Sequence, residues 1–155
     1  MRRPLLGLGL LALVTVPAAA AAQVPLLDVR VGAHAVMPTG DLGDAYDTGF
    51  GGYGRVGAPI GPVKLMATLT WSRLRGIAAS GTTDLDVITV QAGPHFSLAT
   101  LDVGVEAGYF SQFQQIGVAP NLSIELLGFD LTASYSKTFR DPKGSWITLG
   151  AGYRF

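Results

Sequence analysis

The sequence predicts an all-β fold, an antiparallel up-and-down barrel of eight strands that follows a short N-terminal leader. Two observations lead to this prediction. Segments of about ten residues alternate between apolar and polar side chains, which is the pattern of a strand with two different faces. Tight turns also alternate with longer polar connections along the chain. With an even number of strands, this alternation places both chain termini at the turn end of the barrel.

Composition excludes several classes of protein. The 155 residues include 21 glycines, two histidines and no cysteine, so disulfide scaffolds, thiol nucleophiles and cysteine-ligated metal sites are absent. The formal net charge is zero, and no basic surface indicates nucleic-acid binding. Because no second long apolar run follows the leader, a bundle of membrane-spanning helices is excluded. The length allows one domain.

The first 22 residues have the layout of a secretory signal peptide. Arg2 and Arg3 form a positive n-region, an apolar stretch covers residues 5–16, and small residues end the segment at Ala22. The alternative is a membrane-anchor helix, but a span needs about 20 apolar residues. We therefore predict that residues 1–22 are a signal peptide cleaved after Ala22, and that residues 23–155 form one barrel domain.

The strand pattern then recurs to the C-terminus. The alternating segments cover residues 27–37, 49–58, 63–71, 86–98, 101–113, 116–126, 129–139 and 147–155. In the first segment Val29 and Val31 share one face, whereas Arg30 and His34 share the other. The second segment is diluted by glycine. In the fourth, Pro94 removes one donor from the sheet, so a bulge is expected there.

The connections complete the order of elements. Tight turns are predicted at residues 59–62, 99–100 and 127–128, and longer loops at 38–48, 74–83 and 140–145, with a short tip at 114–115. In this arrangement three turns lie at one end of the barrel and four loops at the other.

The two strand faces differ in size as well as in polarity. A soluble barrel has an apolar interior, whereas a transmembrane barrel is polar inside and apolar outside. Eight strands leave an interior just wide enough for side chains, and here the polar face is rich in Gly, Ser, Thr and Ala. The bulk of the aromatic residues lies on the apolar face. These differences favour the transmembrane barrel; a secreted barrel with an apolar ligand pocket is the alternative.

Aromatic residues of the apolar face gather near its two ends, as at the two interfaces of a bilayer. The loop-end group is Phe50, Trp71, Tyr109, Phe113, Tyr135 and Phe139, and the turn-end group is Phe96, Phe129, Tyr153 and Phe155.

With its closing Tyr153-Arg154-Phe155, the pattern over residues 25–155 resembles small outer-membrane β-barrel proteins of Gram-negative bacteria, typified by the OmpA transmembrane domain and OmpX. The resemblance implies an outer-membrane location with both termini in the periplasm. It implies contact with outer-membrane lipid and lipopolysaccharide, and handling by periplasmic chaperones and the barrel assembly machinery. Tyr153 and Phe155 resemble the C-terminal signal read by that machinery. A monomer without cofactor or nucleic-acid partner is expected.

The polar face collects eight charged residues that a transmembrane barrel would turn inward. They are Arg30, Arg55, Lys64, Arg154, Asp102, Glu106, Glu125 and Asp130. An unpaired buried charge is strongly destabilising, whereas a paired and hydrogen-bonded charge is tolerated. The sequence therefore predicts a structural network of ion pairs in the lumen. A rearrangeable gate in a narrow pore is the alternative.

One constellation suggests enzymatic chemistry. His95, Ser97 and Glu106 resemble the His-x-Ser pair with a later Glu of outer-membrane lipid A deacylases, in which a base activates a hydroxyl. However, His95 and Ser97 fall on the predicted lumen face near the turn end, whereas a lipid substrate would need them on the outer face. Leu98 and Ala99 also stand where that family has Asn-Gly. These two departures from the family weigh against this activity.

Loop residues offer two further candidate contacts. Asp41, Asp44 and Asp47 could attract a divalent cation, although a solvated turn with Asp41 as its helix cap is the preferred interpretation. Arg73 and Arg75 could contact lipopolysaccharide phosphates. The sequence thus predicts a non-enzymatic outer-membrane barrel with a structural or surface-interaction role. A narrow or gated pore is the first alternative, and a lipid A-modifying enzyme is the second.

Overall fold

The computed structural model describes residues 27–140 and 143–155, and the signal peptide predicted over residues 1–22 lies outside them. Eight antiparallel strands form one closed barrel. They are β1 (Asp28–Thr39), β2 (Tyr46–Ile60), β3 (Val63–Gly76), β4 (Leu85–Leu98), β5 (Leu101–Phe110), β6 (Gln115–Leu126), β7 (Phe129–Thr138) and β8 (Ser145–Arg154). Each strand pairs with its neighbours in sequence, and β8 pairs with β1 to close the barrel. The predicted all-β up-and-down fold is confirmed.

Strand ends differ from the prediction at the loop end of the barrel. β2 and β3 extend beyond their alternating segments, because Tyr46 still pairs with Gly76. The bulge expected at Pro94 is not found, since the β4–β5 register is the same on both sides of it. The register of β2 and β3 instead shifts between Asp47 and Phe50, within the glycine-diluted part of the sequence.

Burial alternates along every strand with the polar face inward. Exposed side chains include Val90, Val105 and Leu131, whereas Thr89, Glu106 and Asp130 on the opposite face are buried. This is the distribution of a transmembrane barrel, in which lipid covers the apolar face and the closed sheet satisfies the backbone. The alternative, a secreted barrel with an apolar ligand pocket, does not fit this distribution.

Phe113 does not lie on the outer face with the other loop-end aromatic residues. β5 ends at Phe110 and the chain turns over residues 111–114. The Phe113 ring consequently stacks on Trp146 with ring centroids 5.8 Å apart. Alternation cannot be extrapolated through a turn, because the turn resets the direction of the side chains.

The tight turn between β6 and β7 has an unfavourable residue. Leu127 and Gly128 both have positive φ, 54° and 83°, as a two-residue type I′ hairpin turn requires. Left-handed backbone costs a residue with a Cβ atom about 1–2 kcal/mol, and Asn tolerates it better than most. The Leu127 side chain is 97% exposed, so it offers little packing in compensation.

We therefore expect Leu127→Asn to raise the free energy of unfolding by about 1 kcal/mol. The measurement is urea-induced unfolding of the barrel in phospholipid vesicles. Gly128→Asn, at the other turn position, is the control and should not stabilise the barrel. If Leu127→Asn lowers stability, the turn is not of this type.

Within residues 27–140 and 143–155, helical structure is confined to the loop end. Helix α1 (Asp41–Ala45) follows β1, and a single 3-10 turn covers Ala78–Ser80. The carbonyl of Ala45 accepts bonds from the backbone of Ile77 at 3.1 Å and the hydroxyl of Thr82 at 2.6 Å, so the first two loops support each other. None of the helices in the described residues is long and apolar enough to cross a membrane.

Candidate functional site

The barrel lumen has three layers, which differ in chemistry. At the turn end is a lattice of ion pairs, in the middle is a polar chamber, and at the loop end is an apolar cluster. Each layer is built from inward-facing residues of several strands, so no single segment of the sequence contains one.

Arg30 of β1 is the centre of the ion-pair lattice. Its Nε and Nη2 atoms donate to the two carboxylate oxygens of Asp28, each at 2.8 Å. Nη2 also donates to Asp102 at 2.5 Å, and Nη1 donates to Asp130 at 2.7 Å and Ser123 at 3.1 Å. The guanidinium is thus fully buried but surrounded by three carboxylates, an arrangement in which a buried charge is tolerated.

Asp28 joins the other cations of this layer to Arg30. Lys64 donates to Asp28 at 2.6 Å and to Asp102 at 3.3 Å. Arg154 lies 3.3 Å from Asp28 and donates to Glu125 at 2.5 Å. The sequence placed Asp28 on the inward face but did not include it among the network residues. Its place before Arg30 in the same alternation was the available signal.

Arg55 stands apart from the lattice, although the sequence placed it among the internal ion pairs. In the described residues no carboxylate lies within salt-bridge distance of its guanidinium. Instead the guanidinium lies 5.4 Å from the ring centroid of Tyr53, a cation–π geometry. Arg55 is also paired in register with Arg30, which is paired with Arg154 on the far side. Three cations therefore stand in a row, and only two of them have carboxylate partners.

Glu106 pairs with a histidine and not with a lysine or arginine. Its Oε1 atom lies 2.9 Å from His95 Nε2, and both side chains are buried. Gly104 lies opposite His95, where an added Cβ would be 2.5 Å from the imidazole. The glycine therefore leaves the space that the ring occupies.

The residues of the hydrolase hypothesis are not assembled into a catalytic site. The Ser97 hydroxyl donates to Asp102, and the His95 ring bonds Glu106. A base must lie within hydrogen-bond reach of the hydroxyl that it activates. Moreover, His95 faces the closed lumen, where a bilayer lipid has no access.

Replacement of Glu106 should test the buried pair. Glu106→Ala leaves the His95 ring buried without its partner, so we expect a loss of about 1–3 kcal/mol in the free energy of unfolding. Ser111→Ala is the control, because the Ser111 hydroxyl accepts a bond from the exposed Ile88 amide at 3.1 Å and is expected to contribute less. Equal melting of the two variants in detergent would contradict an inward, paired glutamate.

The middle layer is a polar chamber of about 30 Å³. Its wall carries hydroxyl groups from β3, β4, β7 and β8, together with Arg55, Gln91, Glu106 and Asn121. His34 lies at this level, where it bonds Ser72 at 2.8 Å. By volume the chamber holds about two water-sized molecules.

The loop-end layer is an apolar cluster inside the barrel. Its buried members are Val36, Leu42, Leu74, Val87, Phe110 and Trp146, with Tyr46, Leu85 and Phe113 packed against them. The rings of Phe110 and Trp146 meet edge to face, 5.3 Å between centroids. Leu42 of helix α1 reaches into the cluster, so the first loop closes the mouth of the barrel. The sequence did not predict this layer.

The acidic first loop shows no cation site. Asp41 and Asp44 lie in helix α1, and Asp47 follows in β2. No group of three or more His, Asp or Glu side chains among residues 27–140 and 143–155 is placed to hold a metal ion. The helix cap is Gly40, with φ 59°, and not Asp41 as expected.

Arg73 is engaged within the protein. It donates to Asp84 at 3.1 Å and lies 4.0 Å from Asp86. The backbone amide of Gly76 and the Arg73 guanidinium together hold the pKa of Asp84 below its usual value. The neighbouring Arg75 forms no ion pair with the described residues.

Similarity to known proteins is found among solved structures, and it agrees with the fold. No protein-family model and no curated protein matches the sequence. The N-terminal β-barrel domain of Pseudomonas aeruginosa OprF is similar, with a TM-score of 0.58 and 17% identity over 83% of this chain and 97% of that one. Ail, the attachment invasion locus protein of Yersinia pestis, has a TM-score of 0.53 and 22% identity, covering 83% of this chain and 97% of that one.

Ail has also been crystallised in complex with the heparin analogue sucrose octasulfate. Neisserial surface protein A is similar as well, with a TM-score of 0.50 and 20% identity, over 83% of this chain and 95% of that one. At these identities the likeness shows the fold. The predicted resemblance to eight-stranded outer-membrane barrels is confirmed at that level.

Proposed function

We propose that this chain is a non-enzymatic protein of the outer membrane, with a structural or surface-interaction role and both termini in the periplasm. The observation that carries the proposal is the closure of the lumen at two levels. The Arg30 lattice fills the turn end, and the Phe110–Trp146 cluster fills the loop end. A barrel that is closed in this way offers lipid contact on its outer wall and its loops to other molecules, but no passage.

Conductance in a planar bilayer tests the proposal directly. The mature chain, residues 23–155, would be folded in detergent and checked for an unboiled gel band that shifts on boiling. We expect this folded protein to insert without discrete conductance steps. Steps that scale with salt concentration would overturn the structural role and favour a narrow pore, the second candidate, which the polar chamber supports.

The absence of enzyme activity has its own test. Lipid A from cells that express the protein should have an unchanged mass spectrum, because His95 and Ser97 bond separate partners in the lumen. Loss of an acyl chain in those cells would overturn this part of the proposal.

Lipopolysaccharide is the proposed partner at the loop end. Arg75 and Lys137 are exposed, lie on the outward face beyond Trp71 and Tyr135, and form no ion pair with the described residues. Phosphate groups of the outer leaflet would lie at this level. The melting temperature of the barrel in vesicles should rise when lipopolysaccharide is added. The rise should be smaller for the double variant that carries both Arg75→Gln and Lys137→Gln. An equal rise in the paired control Arg73→Gln and the double variant would contradict these contacts.

The C-terminus is proposed as the signal for the barrel assembly machinery. Phe155 closes the β1–β8 seam, donating its amide to the carbonyl of Val29 at 2.9 Å. Its ring contacts Tyr153, which in turn contacts Phe129, so an aromatic cluster marks the outer wall at this seam. Periplasmic chaperones would deliver the chain, which is proposed to function as a monomer.

A further inference from the structure

The polar chamber contains buried groups whose hydrogen bonds are not satisfied by the protein. Among the described residues, Arg55 Nε, Thr68 Oγ1, Gln91 Nε2 and Asn121 Oδ1 have no partner. All four side chains are more than nine-tenths buried and line this one chamber. A buried polar group without a partner costs free energy of about 1–3 kcal/mol, so four in one place indicate a ligand.

The chemistry of these groups favours a ligand that accepts hydrogen bonds. The Arg55 and Gln91 nitrogens can only donate, and the Thr68 hydroxyl can donate as well. Asn121 Oδ1 is the single obligatory acceptor of the set. An excess of donors suits a small anion, whereas water would bring donors of its own.

The charges around the chamber favour the same conclusion. Arg55 stands beside Arg30 and has no carboxylate within salt-bridge distance in the described residues. Glu106 also faces the chamber, but its Oε1 atom is held by the buried His95. His34 lines the wall too and is bonded to Ser72. The Arg55 guanidinium is therefore the cation in this layer whose partner the described residues do not supply.

We propose that the chamber binds one small monovalent anion of the halide class, held by Arg55, Thr68 and Gln91. The volume of about 30 Å³ is sufficient for a single halide ion. The anion would neutralise Arg55 between the two closed ends of the lumen. The site would therefore stabilise the barrel and would not by itself permit conduction.

Bromide is the probe, because it replaces chloride and scatters X-rays anomalously. The mature chain would be folded and crystallised in sodium bromide. We expect an anomalous peak in the chamber within contact of the Arg55 guanidinium. The peak should vanish in Arg55→Gln and persist in Lys64→Gln, which removes a lumen cation that already has carboxylate partners. Water density without anomalous signal in the wild type would overturn the proposal.

A second measurement covers the case in which Arg55→Gln does not fold. The wild-type barrel would be refolded in chloride, bromide or gluconate at equal ionic strength, since a closed chamber must be loaded during folding. We expect the melting temperature to rise saturably with halide but not with gluconate. Equal melting temperatures in the three salts would overturn the proposal, because charge screening at equal ionic strength is the same in all three.

Discussion

Arg30→Met is expected to lower the free energy of unfolding by about 3–5 kcal/mol. The variant removes five hydrogen bonds and leaves Asp28, Asp102 and Asp130 close together in the lumen. Lys64 neutralises only part of that charge, because it reaches Asp28 and Asp102 but not Asp130. The measurement is reversible urea unfolding in phospholipid vesicles, followed by tryptophan fluorescence.

Arg154→Met is the matched control for this prediction. Both arginines bond carboxylates of the same lattice, but the Arg154 side chain is 38% exposed and that of Arg30 is 1% exposed. Exposed ion pairs contribute about 0–1 kcal/mol. An Arg30 variant no less stable than the Arg154 variant would mean that the lattice is not the structural centre of the turn end.

Phe110→Ala is expected to cost about 3–5 kcal/mol, because it leaves a cavity in the apolar cluster. Phe110 is fully buried and its ring packs edge to face against Trp146. Helix α1 above it limits how far the cluster can collapse, since Leu42 packs into the same layer. The same unfolding experiment measures the effect.

Tyr109→Ala is the control, one residue away on the opposite face of β5. Its ring is 48% exposed on the outer wall, where lipid can fill the space that a smaller residue leaves. We therefore expect a clearly smaller loss of stability than for Phe110→Ala. If Tyr109→Ala lowers the free energy of unfolding as much as Phe110→Ala or more, the inner cluster does not close the loop end. The proposal of a closed lumen would then rest on the Arg30 lattice alone.

The two closed ends also indicate where interactions with other molecules can occur. Transport chemistry is not needed to explain the buried charges, since six of the eight predicted lumen charges fall in one structural lattice with Asp28. Arg55 and the His95–Glu106 pair do not belong to the lattice, and all three residues lie at or near the chamber. The remaining candidate surfaces are the loops and the lipid-facing wall.

The sequence by itself determined the class of fold and the direction of its faces. The period of two is a local property of each strand, so Val31 and Arg30 could be assigned to opposite faces without knowledge of their neighbours. The aromatic residues at both ends of the apolar face then distinguished a membrane exterior from a core. This local reasoning failed at Phe113, where a turn interrupts the period.

Only the tertiary structure decided which inward side chains meet. Arg30 and Asp102 are separated by 72 residues, and they come together because β1 and β5 face each other across a lumen narrow enough for their side chains to touch. For the same reason Arg55 could be placed inside the barrel, but its lack of a carboxylate partner could not be foreseen. The charge of a residue and the face on which it lies follow from the sequence of its own strand. Which charged side chains form ion pairs depends on the registers of all eight strands at once.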